Sequence, residues 1–321
     1  MRRRPPERPA PRIRPSHRNV DVSPVEAVIP PSQILRLSAD DADRLLGRLE
    51  DAVPTRPTLV DLSSFRGNEA IVFGDTHGDW RTSERVAARY QDPAQHRLLI
   101  GLGDYVDRSP TDCGAGAVAN AFFLLQLTAH DPERVVLIQG NHETVRVIPA
   151  RPESLREEVR ELWGGDPQRY ERLIGLLGRG PLAAFHPSGA YLAHAGFPVG
   201  GGTTGWKSAF DRVDERLVAQ VAWAECAASH NRRGAAAPFG EAQLTEFLGK
   251  AGLTFMLRGH DPDLTGRPIF HDRCLTLHTT RVYERYGGVL YARMPIDRPR
   301  VTLSEVQVGH TETEGQRYAR P

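Results

Sequence analysis

The sequence predicts an α/β protein, and three observations carry that prediction. Short aliphatic runs of strand character alternate with stretches of helical periodicity. Each run ends in a polar, glycine-containing loop. The composition, 40% hydrophobic and 25% charged over 321 residues, is that of a globular chain with length enough to bury a core.

The elements follow in chain order. Residues 1–18 hold seven Arg, one Glu and five Pro, so the chain through residue 30 is expected to be a disordered basic tail with almost nothing to bury. The stretch from Ser38 to Leu49 (SADDADRLLGRL) opens on an N-cap Ser and an acidic first turn and continues with leucines at helical spacing, which gives a short leading helix. Glu69–Phe73 (EAIVF), Arg97–Gly101 (RLLIG) and Val135–Gln139 (VVLIQ) read as buried strands. Helical stretches near Trp80–Tyr90 and from Ala115 to Ala129 separate them. Ala190–Ala193, Thr254–Leu257 and Cys274–Leu277 repeat the pattern of strand and polar loop. One domain is expected over residues 31–300, followed by a C-terminal extension over 301–321.

Charge and cysteine usage narrow the function classes. The formal charge is +1, and without residues 1–18 there remain 34 basic and 39 acidic residues, a net charge of −5. That balance argues against a dedicated nucleic-acid binder. All but Lys207 and Lys250 of the 41 basic residues are Arg, a chain-wide bias read as genome composition. No apolar run approaches the ~20 residues of a membrane helix, and no apolar segment follows the Arg-rich start, so neither a span nor a secretory leader is expected. Cys113, Cys226 and Cys274 lie far apart without a CxxC pair, which fits a reducing cytoplasm and structural thiols.

The chemistry is written in the loops after the strands. GDTHGD (74–79) follows the first, GDYVDR (103–108) the second and GNHE (140–143) the third, while two later strands run into HAG (194–196) and RGH (258–260). Loops at the carboxyl ends of strands are where α/β proteins build sites, so Asp75, His77, Asp104, Asn141, His194 and His260 are expected to converge. Any one of these histidines alone would more often be a satisfied polar group; three such strings in order are not accidental. Two carboxylates, an amide oxygen and three imidazoles form a mixed O/N set suited to Mn, Fe or Zn. Six donors exceed the needs of one tetrahedral ion, whereas two ions ~3.5–4 Å apart with one Asp between them would use all six.

These motifs resemble the phosphoprotein phosphatase family of Ser/Thr phosphatases, within the calcineurin-like metallophosphoesterases. The resemblance runs from about Asp43 to Met294 and includes PLAAFHPSGAYLAHAG (181–196), RGAAAPFG (233–240) in place of the family's RGVSFTFG, and TLHTTRVY (276–283) in place of its TLFSAPNY. It implies a two-sheet β-sandwich flanked by helices. By the same resemblance Asp75 and His77 hold a first metal, Asp104 bridges, and Asn141, His194 and His260 hold a second. Manganese is the first expectation, with iron or zinc as alternatives. Arg108 and Arg233 grip the phosphate with Asn141 beside them, His142 is the general acid, Asp107 holds its imidazole, and Tyr283 lines the cleft. The implied reaction is hydrolysis of phosphoserine and phosphothreonine monoesters in a phosphorylated protein or peptide, by direct attack of a hydroxide held between the metals.

Departures from the family's pattern fall at Ser109 and Pro110, at Gln139, and in TTRVY; they are expected on the cleft wall, where they bear on substrate preference. GGGTTG (200–205) reads as a flexible connector. Two other classes compete. A dinucleotide polyphosphate hydrolase has similar loops, but GDYVDR and GNHE stand closer to the protein phosphatases than to the GDLVxRGP and GNHD of that sister group. A non-catalytic scaffold of the same fold would not need every donor and the His142–Asp107 pair intact.

Overall fold

Two five-stranded sheets face each other across an apolar layer, with helices covering the outer face of each. The computed structural model describes residues 27–91, 96–199, 205–230, 234 and 236–312. In chain order the regular elements are α1 (Pro31–Ile34), α2 (Ala39–Ala52), β1 (Leu59–Asp61), β2 (Glu69–Phe73), α3 (Trp80–Tyr90), β3 (Arg97–Gly101), α4 (Gly116–His130), β4 (Val135–Leu137), α5 (Ser154–Trp163) and α6 (Pro167–Leu177). They continue with β5 (Ala183–His186), β6 (Ala190–Ala193), α7 (Glu215–Ala222), α8 (Glu241–Ala251), β7 (Phe255–Arg258), β8 (Cys274–Thr276), β9 (Leu290–Pro295) and β10 (Gln307–His310). One sheet has the order β1-β5-β6-β7-β8, the other β10-β9-β2-β3-β4.

Strand alternation explains the layering. In β2, Ala70 and Val72 join the cluster between the sheets, while Ile71 and Phe73 pack with the helices. Likewise Leu98 and Ile100 of β3, Leu192 of β6 and Leu257 of β7 fill the central layer. Tyr191 and Met256 turn outward to meet α7 and α8 through Val218, Val221, Leu244 and Phe247. Both faces of these strands are apolar because both are covered.

Helix α4 is buried along its whole length except His130, as the apolar run Ala115–Ala129 predicts. Its one central amide does a specific job: Asn120 Nδ2 donates to Thr76 Oγ1 at 2.9 Å and to Tyr105 O at 2.8 Å, tying α4 to the loops after β2 and β3. The leading helix is capped as expected, with Ser38 Oγ accepting from Asp41 N at 3.2 Å.

Two segments differ from the sequence expectation. Of the basic tail, residues 1–26 lie outside the described residues, but Val28 and Ile29 already pack on the helical layer and Pro31 opens α1. The expected domain boundary at residue 300 falls within the folded sandwich: β10 pairs antiparallel with β9, and Val301 and Leu303 are buried between the sheets. Short edge strands of this kind give little periodic signal. The connector GGGTTG lies outside the described residues except for Gly205. No helix among the described residues is long and apolar enough to cross a membrane.

Candidate metal centre

The parallel strands β2, β3 and β4 of one sheet and β6, β7 and β8 of the other send their carboxyl-end loops to the same edge of the sandwich. The loops are stitched together there. Asp75 forms a parallel bridge with His278, Thr279 N donates to Asp75 O at 2.8 Å, and His77 N donates to Asp104 O at 2.9 Å. Two glycines permit the closest approaches. A Cβ on Gly74 would lie 1.8 Å from Leu277 O, and one on Gly259 would lie 2.0 Å from Asp75 Oδ1. His77, Asp104, Asp107, Arg108 and His260 all take positive φ, between 44° and 74°. Each such non-glycine conformation costs roughly 1–3 kcal/mol, and concentrations of them mark sites whose geometry is held by their surroundings.

All six side chains expected to converge do so, and all are buried. The tautomers explain what they form. His77 Nδ1 lies 3.0 Å from Val106 O and His194 Nδ1 lies 2.9 Å from Leu102 O. A carbonyl can only accept, so each Nδ1 carries a proton, and in the neutral, ligating form of the ring each Nε2 turns its lone pair into the site. The His77 lone pair faces Asp104 Oδ2 at 3.7 Å and Asp75 Oδ2 at 3.8 Å. That of His194 faces Asp104 Oδ2 at 3.4 Å and Asn141 Oδ1 at 3.0 Å, and Asn141 Oδ1 is also 3.0 Å from His260 Nδ1. Acceptors thus point at acceptors in a buried space. That arrangement asks for cations between them, and imidazoles whose other nitrogen donates to a backbone carbonyl are the usual form of a metal ligand. The donor set fits divalent metal on both sides of Asp104.

Burial and neighbouring charge shift these groups strongly, and not all in one direction. Although burial opposes the charged form, His278 and His194 hold the Asp75 carboxyl down at about 2. Burial likewise opposes ionisation of Asp104, and the surrounding imidazoles, His194 first, still hold it well below the usual range. Burial, reinforced by Arg108 and His142, depresses His77 to about 4 and keeps it neutral, the form that ligates. His194 moves the other way: burial is overcome by Asp104 and Asp75, and it rises to about 9, so without a metal it holds a proton that an incoming cation would displace.

Beside the donors, His142 Nδ1 lies 2.5 Å from Asp107 Oδ2, and Asp107 Oδ1 accepts from Leu155 N at 2.8 Å in the first turn of α5. The opposite ring atom, His142 Nε2, is buried with no hydrogen-bond partner among the described residues. Burial would lower this imidazole, but Asp104 and the Asp107 hydrogen bond outweigh it and the net shift is upward. Arg108 NH1 donates to Tyr283 Oη at 3.0 Å and approaches His77 Nε2 at 3.3 Å, so both residues stand at the mouth of the site. Arg233 lies outside the described residues.

Sequence reasoning gave three neighbours no role. The carboxylate of Glu143 accepts from the backbone amides of Asp104 at 2.8 Å, Tyr105 at 2.9 Å and Gly140 at 2.8 Å, fixing two ligand loops at once. Arg258, fully buried, donates to Ala195 O at 2.6 Å and Asp261 Oδ2 at 2.7 Å, joining the HAG and RGH loops. Arg281 clasps buried Asp79 through Nε at 3.0 Å and NH2 at 2.8 Å. Of the TTRVY segment expected on the cleft wall, Thr279 and Thr280 are fully buried, because the chain there crosses directly under Asp75, while Arg281, Val282 and Tyr283 are partly exposed. Cys113, Cys226 and Cys274 are free and buried, and burial above all pushes Cys113 up to about 11 and Cys274 to about 12, which leaves them inert thiols.

With this fold and donor set, the chain belongs to the calcineurin-like phosphoesterase family, whose model matches residues 70–264. Among curated proteins it is 25% identical over 263 residues to an Encephalitozoon cuniculi protein named a probable serine/threonine-protein phosphatase, covering 78% of this chain and 55% of that one. It is 24% identical over 262 residues to serine/threonine-protein phosphatase T of Aspergillus oryzae, covering 75% of this chain and 51% of that one. The chain therefore spans about half the length of the curated relatives it matches. Among solved structures, a Saccharomyces cerevisiae protein serine/threonine phosphatase with similarity to human phosphatase PP5 superposes with a TM-score of 0.59 at 18% identity. That match covers 83% of this chain and 82% of that one and is a likeness of fold.

Proposed function

We propose that this chain hydrolyses phosphoserine and phosphothreonine monoesters in proteins, with two divalent cations, manganese first among the candidates, as cofactors. The observation that carries the reading is the buried cluster of mutually facing acceptors around Asp104, next to an imidazole–carboxylate pair with one imidazole nitrogen unpartnered. When bound, the cations would polarise the phosphoryl oxygens and make a water nucleophilic at neutral pH, so no protein nucleophile is required.

The chain's own residues supply the rest. Asp75, His77 and Asp104 would hold one ion, and Asp104, Asn141, His194 and His260 the other. Arg108 would leave Tyr283 to grip two phosphoryl oxygens, a task for which its planar fork is suited, with Arg233 as the second guanidinium and Asn141 and Tyr283 beside the substrate. His142 Nε2 would give its proton to the departing alkoxide, while Asp107 keeps the ring charged and correctly turned. The raised affinity of His142 for its proton keeps the acid form present near neutral pH. A reducing compartment such as the cytoplasm suits three free, buried thiols.

The substrate class is tested by comparing phosphoserine and phosphothreonine peptides, diadenosine tetraphosphate and p-nitrophenyl phosphate in one Mn²⁺ buffer at matched ionic strength. The peptides are expected to show the higher kcat/KM, because one phosphate fits between two guanidiniums and the net charge of −5 beyond the tail repels a polyanion. A preference for the dinucleotide would move the chain to the dinucleotide polyphosphate hydrolases. Bound metal with no hydrolysis of any substrate would make it a binding scaffold.

A further inference from the structure

His278 resembles His77 and His194 in turning Nε2 toward a carboxylate of the site, with Nδ1 on a threonine hydroxyl in place of a backbone carbonyl. Its ring is fully buried. Its Nδ1 lies 2.8 Å from Thr265 Oγ1, and the single hydroxyl proton of Thr265 is already committed to Pro262 O at 2.7 Å. With that proton on Pro262 O, Thr265 accepts from the ring, His278 Nδ1 carries the proton and Nε2 is left with its lone pair. That Nε2 stands 3.2 Å from Asp75 Oδ2 and makes no aligned hydrogen bond with any described residue. An imidazole lone pair against a buried carboxylate needs a cation beside both, a proton while the site holds no metal and a metal ion once one is bound.

The spacing suits a shared ion. With metal–nitrogen and metal–oxygen bonds of about 2.0–2.2 Å, neighbouring ligand atoms sit roughly 3–3.5 Å apart. Asp75 Oδ2 has one imidazole Nε2 within that range at 3.2 Å (His278) and a second slightly beyond it at 3.8 Å (His77). The backbone makes the placement firm: Asp75 and His278 are bridge partners, and Leu290 N holds His278 O at 2.8 Å from the other side. The Tyr283 ring, edge-on at 5.0 Å between centroids, closes the remaining face.

We infer that His278 is a further ligand of the ion held by Asp75 and His77, contributed from the loop after β8. The assignment rests on the two-cation reading of the site and adds a fourth imidazole to it. This imidazole would add a fourth protein ligand to Asp75, His77 and Asp104 on that ion, and so tighten its retention.

The test is Mn²⁺ binding to the chelator-stripped full chain, measured by calorimetry and by melting with and without Mn²⁺, for the wild type, His278→Phe and His278→Gln. Phenylalanine keeps the ring volume without a donor, and Gln keeps a donor for Thr265. Expected are an unchanged melting temperature without metal, a smaller rise on adding Mn²⁺, and one of two sites weakened by ~10-fold or more, the scale on which ligand-sphere losses register. Should a variant fail to fold, electron paramagnetic resonance of the Mn²⁺-loaded wild type with ¹⁵N-labelled histidine decides. Coupling to four imidazole nitrogens supports the assignment, and coupling to three overturns it. Two ions bound by His278→Phe with wild-type affinity would overturn it while leaving the two-cation reading intact. A wild type that fails to bind two ions would overturn both.

Discussion

Asp104→Asn is expected to lower turnover by at least ~10²- to 10³-fold, the scale at which loss of one preorganised electrostatic partner is felt, and to lower bound metal with it. Asp104 Oδ2 is the oxygen that faces the lone pairs of both His77, at 3.7 Å, and His194, at 3.4 Å, so its charge serves both sides of the site. Oδ1 has another duty, accepting from His142 N at 3.0 Å. Asparagine can keep that second contact, because its carbonyl oxygen can occupy the Oδ1 position while its amide faces the imidazoles. The loops should therefore stay folded while the shared anion disappears. Metal analysis and melting of the metal-free protein separate the two effects: metal content should fall and the metal-free melting temperature should hold. Near-normal turnover with two ions retained would remove Asp104 from the bridging position.

His142→Asn should give the opposite pattern, with metal retained and rate lost. The ring lies against the metal donors, and His77, Asp104 and His142 offer atoms all within 4.8 Å of one another, so geometry alone would also allow His142 to ligate. Its hydrogen bonding decides otherwise: Nδ1 is engaged with Asp107, which is itself held by Leu155 N, and the free Nε2 belongs to an imidazole biased toward its charged form. Paired with a carboxylate, this ring is set to give up a proton from Nε2, whereas His77 and His194 rest on backbone carbonyls. A positioned general acid contributes ~10²–10⁴-fold, so the loss should be of that size on a phosphoserine peptide. It should be much smaller on p-nitrophenyl phosphate, whose leaving group needs little protonation. Equal losses on the two substrates, or loss of metal, would reassign the residue.

Much of the site was legible because strand ends announce themselves. EAIVF followed by GDTHGD, or RLLIG followed by GLGDYVDR, shows both where an apolar strand stops and which polar side chains its loop carries, and the tertiary structure only has to bring such loops to one edge. The helix α4 was equally plain, since fifteen residues without a charge before His130 have to be buried.

What stayed hidden depends on pairings that local pattern does not encode. β1 and β10 are edge strands of three and four residues, too short to show alternation. Glu143 looks like one more acidic residue until its oxygens are seen to hold three backbone amides from two loops. Asp79 and Arg281, and likewise Asp75 and His278, lie about two hundred residues apart and meet only because β2 and β8 end at the same edge of the sandwich. In TLHTTRVY only Tyr283 stood out by resemblance, yet it is the rewritten residues His278 and Arg281 that touch the two acidic side chains of GDTHGD.

The central claim is that the buried acceptor cluster exists to hold two cations that make phosphate hydrolysis possible. The most direct measurement strips the protein with a chelator and titrates it with Mn²⁺, following bound metal per chain and p-nitrophenyl phosphate hydrolysis together. Binding should saturate at two ions per chain, with hydrolysis absent in the stripped protein and reaching its plateau as the second ion fills. Full hydrolysis by the stripped protein, or saturation at one ion with maximal rate, would contradict the claim.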